Sequence, residues 1–123
     1  MLHCTRHETG LIKEGKAVGI VRRYDHKSGC PHAPGSIIFF ANNELDDSGR
    51  QIPFASATVI TVRRGTVSEF SKDPMIAEMD GFKSLASWIS HLRVLYKGIG
   101  ASDTVYHIKF RMDDMDKEAG TRG

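Results

Sequence analysis

Five basic side chains stand where two apolar stretches re-enter water. Lys16, Arg22 and Arg23 lie toward the two ends of EGKAVGIVRR (residues 14–23), and Arg63 and Arg64 close IPFASATVITVRR (residues 52–64). The planar fork of arginine pairs bidentately with phosphate oxygens, and a basic cleft concentrates an anionic ligand. This pattern suits RNA or a nucleotide, with Tyr24 and Phe40 as rings on which a base could stack. The same pattern also describes strand ends that are merely solvated, and both readings stay open at this stage.

A second cluster, Cys4, His7, Cys30 and His32, supplies four sulfur and nitrogen ligands. Structural zinc sites use wider spacings than C-x-H, and Pro31 stiffens that pair further, so no metal is expected. His91 and His107 read as structural. The hydrolase elbow, the phosphate-cradling Gly-rich loop, the dinucleotide fingerprint and the H-E-x-x-H zinc motif are all missing, and no cofactor is expected.

These residues must be held by one small core. A chain of 123 residues, 40% hydrophobic and 26% charged, suits one globular domain, and no apolar run approaches the ~20 residues that span a bilayer. The N-terminal MLHCTRHETG has neither a basic leader nor an apolar block, and two cysteines are too few for a secreted disulfide scaffold. Cytoplasmic residence, reduced thiols and no membrane partner are expected; the oligomeric state is open. Net charge is +2, but Asp113, Asp114, Asp116 and Glu118 crowd the end of the chain and leave the preceding body more basic.

The elements follow from periodicity and punctuation. Residues 2–5 form a first strand, residues 7–14 a short helix stopped by Gly15, and residues 16–23 a strand rich in β-branched side chains. A loop covers residues 24–35. Strands follow at residues 36–41 (SIIFFA) and 52–64, the latter with Pro53 marking an edge. Asp73 caps and Pro74 starts a helix within residues 71–81. Ser84 caps the next, where Leu85, Trp88, Ile89, Leu92 and Leu95 make one apolar stripe. Residues 104–112 (TVYHIKFRM) alternate, so one face of that strand is expected to be wet. The order implies an α+β domain with a mostly antiparallel sheet curling toward a barrel.

Taken together, EGKAVGIVRR, APGSIIFFA, FASATVITV, AEMDGFKSLASWISHLRVLY and TVYHIKF resemble the ASCH domain, a PUA-like β-barrel family, over nearly the whole chain outside the tail. The resemblance implies a domain over residues 1–112, an acidic and flexible tail over 113–123, and a cleft lined by the second strand. ASCH domains are regarded as RNA-binding or RNA-processing modules, and some small bacterial members remove an acyl group from N4-acetylcytidine. That branch uses a lysine and a threonine from the strand after the Gly turn and an acid from the helical segment. Lys16 matches the lysine after a one-residue slip and Asp80 matches the acid, giving a candidate catalytic pair. The threonine position falls on Gly19 or Ile20, neither of which carries a hydroxyl. The expected function is therefore RNA or modified-nucleoside binding by Lys16, Arg22, Arg23, Tyr24, Arg63 and Arg64. The alternatives are an ASCH-type hydrolase (amidohydrolase or ribonuclease) and a regulatory domain whose acidic tail contacts a partner or its own cleft.

Overall fold

The computed structural model describes residues 1–25 and 27–115. Strand β1 (Leu2–His3) leads into helix α1 (Arg6–Lys13), followed by β2 (Gly19–Arg22), β3 (Ile37–Leu45) and β4 (Gln51–Thr66). Helices α2 (Val67–Phe70), α3 (Pro74–Met79) and α4 (Leu85–Leu95) precede β5 (Thr104–Met115). The strands form one sheet in the order β1-β3-β4-β5-β2, parallel at β1/β3 and antiparallel at the other pairings. It curls into a half-barrel, in keeping with the mostly antiparallel α+β architecture read from the sequence. Register shifts in β4 between Ser56 and Ala57 and between Val59 and Thr61 bend the longest strand as bulges do.

Capping sets the helix starts. Thr5 Oγ1 accepts from the Glu8 amide while Glu8 Oε1 accepts from the Thr5 amide, so α1 begins one residue before the sequence expectation. Gly15, at φ 74°, then turns the chain toward β2. Thr66 and Glu69 form an equivalent box that starts α2, a helix the sequence reading left out. Asp73 caps α3 with Pro74 in its first turn, and Ser84 caps α4, both as expected.

Two apolar clusters divide the core. One fills the concave side of the sheet with Ile12, Ile38, Phe40, Ala57, Val59, Ile108 and Phe110; the other, with Val21, Val105, Ile76, Trp88 and Leu92, joins the opposite face to α2, α3 and α4. Contrary to the expectation of one wet face, β5 is dry on both sides in its middle: Val105, Tyr106, His107 and Ile108 are all buried, with Ile108 in the first cluster and Val105 and His107 under the helices. The same strand continues to Met115, three residues beyond its expected end at Met112. The expected tail contact falls mainly on residues 116–123, outside those described. Pro53 faces Ala41 of β3, beside a register shift in that pairing.

Candidate functional site

Asp80 ends α3 and turns into the protein instead of toward solvent. Its Oδ2 accepts from Trp88 Nε1 at 2.9 Å, and its Oδ1 is hydrogen-bonded to His107 Nε2 at 2.7 Å. Asp80 is 6% exposed, and Trp88 and His107 are 1% exposed each. Gly19, on β2, lies directly against this pair: a Cβ there would fall 2.6 Å from His107 Nε2 and 2.7 Å from Asp80 Oδ1. The space in which a hydroxyl-bearing side chain would sit is thus occupied. Lys16, the expected partner of Asp80, instead places Nζ 3.1 Å from Glu14 Oε2 on the surface. The structure does not bring the candidate catalytic pair together. Each member has another partner, and general-base chemistry needs contact at about 3 Å.

Arg22 also departs from expectation. Its guanidinium donates from Nη1 to Glu8 Oε2 and from Nη2 to Glu8 Oε1, both at 2.8 Å, and Nη1 and Nη2 also reach the carbonyls of Val21 and His3. With the residue 7% exposed and its fork consumed, Arg22 is no phosphate contact. Strand pairing gave no hint of this, because the carboxylate comes from α1, fourteen residues upstream. His91 Nε2 lies 3.1 Å from Glu8 Oε2. Cys4 sits in the same neighbourhood, where burial, with the Glu8 charge adding and Arg22 opposing, pushes its thiol up to about 12. A thiol held protonated is a poor zinc ligand. Among the described residues no three His, Cys, Asp or Glu side chains form a metal-ligating group.

Burial alone would raise the Glu8 carboxyl, but His91, the Arg22 hydrogen bonds and charge, and the Thr5 amide outweigh it and lower the pKa from 4.5 to about 2. A depressed folded-state value stabilises the fold above the unfolded pKa and is lost as pH falls through the folded one. Stability should therefore fall between about pH 4.5 and pH 2, by about 3 kcal/mol for this group. Urea midpoints measured across that range check it: the Glu8→Gln variant should show a flatter profile, and an equally steep one would exclude Glu8 as the source.

Two open surfaces collect the remaining candidates. The larger is a cleft of ≈ 1090 Å³ between α1 and the α3–α4 turn, with Arg6, His7, Lys16, Glu78, Phe82 and Lys83 on its walls. Phe82 also lines a cavity of ≈ 10 Å³ behind the cleft, about the size of one water, which Glu8, Asp80 and His91 face. The rings of His7, Phe82 and His91 cluster at this junction, with centroids 5.0–5.8 Å apart. The second surface, a groove of ≈ 570 Å³, brings Arg23, Tyr24 and Arg64 together beside Asp25 and Asp103. Tyr24 is half-buried against Tyr106, and burial pushes its hydroxyl up to about 12. Arg63 faces elsewhere, paired with Asp73 at 3.3 Å and lying over the Phe70 ring. Phe40 is fully buried against Phe110, which removes it as a base platform. Of the cleft residues, sequence reasoning singled out Lys16 as a binding residue and His7 only as a candidate metal ligand. Arg6, His7 and Lys83 carried one available signal, their place beside a helix cap and beside the Asp80-Gly81-Phe82 step.

No family model and no curated protein matches the sequence. Solved structures do. The chain superposes over 97% of its length on 73% of a protein from Enterococcus faecalis V583 of the DUF984 family, with TM-score 0.67 and 15% identity. It superposes over 94% of its length on 73% of the ASCH protein of Zymomonas mobilis, with TM-score 0.60 and 14% identity. The chain has the ASCH-domain fold. A hypothetical protein, PH0355, is similar over 91% of this chain and 96% of its own, with TM-score 0.63 and 22% identity. At these identities the likeness concerns the ASCH fold and leaves ligand and chemistry to be argued from the residues. No helix among the described residues is long and apolar enough to cross a membrane.

Proposed function

We propose that this protein is a binding module for RNA or a modified nucleoside, seated in the cleft between α1 and the α3–α4 turn. The observation that carries the reading is the convergence there of Arg6, Lys16 and Lys83 with the rings of His7 and Phe82, in a concavity large enough for a nucleotide. Cations would meet phosphate or ribose, and an exposed ring would meet a base, which is how single-stranded RNA is usually held. Glu14 and Glu78 on the same walls leave the cleft only moderately basic, favouring reversible binding. The hydrolytic alternative loses support, because the acid is committed to Trp88 and His107 and the hydroxyl position is filled.

Fluorescence anisotropy with labelled oligouridylate tests the proposal. Each phosphate contact on a single strand contributes roughly 0.7 to the slope of log affinity against log salt. Lys16→Ala with Lys83→Ala should weaken binding at low salt and flatten that slope by about 1.4. An unchanged slope in the double variant would remove the cleft from consideration.

A further inference from the structure

The second groove gives the ligand a length. Arg23 packs its guanidinium 4.8 Å from the centre of the Tyr96 ring, and its amide donates to the Tyr96 hydroxyl at 3.0 Å. That stack holds the fork flat while leaving its N–H edges available. Arg64 projects from β4 at the register position facing Tyr106, whose ring packs on Tyr24. Among the described residues neither arginine is in an ion pair, whereas Arg63 is held by Asp73. Two acids share the groove: Asp103 Oδ2 accepts from the Gly100 amide at 2.7 Å, and Asp25 Oδ1 accepts, among its contacts, from the Lys27 amide at 2.9 Å.

Two elements connect this groove to the cleft. Lys16 precedes β2 and Arg23 follows it; Ser84 and Ser87 at the start of α4 line the cleft, while Tyr96 at its end carries Arg23. An 11-residue helix is about 16 Å long, so the two surfaces are separated by roughly that distance. A nucleoside in the cleft does not reach Arg23, but a chain continuing from it does. A cation beside a ring at each of two points, Lys16 and Lys83 with His7 in the cleft and Arg23 with Tyr24 in the groove, suits sequence-tolerant binding of a single strand.

We infer that the ligand is a single-stranded RNA segment held at two points, its base end in the cleft and a downstream phosphate between Arg23 and Arg64, rather than a free nucleoside. This rests on the cleft reading. Joining two weak contacts through one chain raises the apparent affinity roughly 100-fold or more over either alone. Calorimetry with uridine monophosphate and with an oligouridylate series up to eight nucleotides reads this directly. Affinity should climb about 100-fold between the monomer and the octamer. Arg23→Ala with Arg64→Ala should cancel most of that gain and leave the monomer unaffected. Arg63→Ala, on the same strand but paired to Asp73, should change neither, and thermal melts of all variants should coincide with the parent.

If the monomer binds and depends on Lys16 and Lys83 but the octamer binds no tighter, the two-point inference fails and the cleft stands. An octamer that binds more tightly yet ignores Arg23→Ala with Arg64→Ala also overturns it. Octamer affinity that follows Arg23 and Arg64 and ignores Lys16 and Lys83 overturns the cleft and the two-point inference together.

Discussion

Arg22→Ala lowers the stability of the fold by about 3–5 kcal/mol, the cost of leaving one member of a buried ion pair without its partner. The variant abandons Glu8, whose two carboxylate oxygens both accept from Arg22 at 2.8 Å in a site where the carboxylate side chain is 6% exposed. It also frees the His3 carbonyl, which matters because β1 and β2 are the two ends of the sheet and Arg22 connects them. The guanidinium closes by side chain a seam that the strands leave open by backbone. A melt followed by circular dichroism should show a midpoint lower by on the order of 10 °C. Replacing both partners, Arg22→Met with Glu8→Leu, should recover part of the loss, because no buried charge is left unpaired, while the His3 carbonyl and the Thr5 amide still lose their partners. If Arg22→Ala melts with the parent, the pair is not buried in solution and Arg22 returns to the list of phosphate contacts.

The architecture was legible where the signal is local. Ser84 and the Trp88–Leu92 stripe, Asp73-Pro74 and the Gly15 turn each encode an element within a few residues, and each forms as read. Thr66-x-x-Glu69 was equally local and announces α2 just as clearly; the strand reading stopped at Arg64, and residues 65–70 were given no element. What could not be read is whatever depends on which element covers which. Alternation in β5 correctly placed His107 opposite Ile108, but the choice of wet face requires knowing that α2, α3 and α4 lie over the His107 side. Arg22 and Arg23 are adjacent and chemically identical, yet one is sealed under α1 and the other stacks openly on Tyr96. Pleat direction sends neighbours to opposite faces, and only the fold says which face holds the carboxylate.

Gly19→Thr restores the hydroxyl that the ASCH amidohydrolase branch would need, and it should destabilise the protein without creating a hydrolase. Gly19 has no positive φ to protect, so the constraint is proximity and not backbone conformation. The atoms a Cβ would strike, at 2.6 and 2.7 Å, belong to a buried imidazole and a buried carboxyl that are hydrogen-bonded to each other. Neither is the loose end of a flexible chain. Accommodating threonine means displacing His107 or Asp80, and the second displacement also strands the Trp88 N–H, so overpacking of about 1–3 kcal/mol is compounded by an unsatisfied buried donor of similar cost. The expected denaturation midpoint falls by the equivalent of about 3 kcal/mol or more, with Gly19→Ala smaller and of the same sign. Incubation of the threonine variant with N4-acetylcytidine should give no cytidine by chromatography. Product formed by a variant as stable as the parent would mean that the buried pair yields readily, that Asp80 can turn toward the cleft, and that this fold is one substitution from chemistry instead of being packed against it.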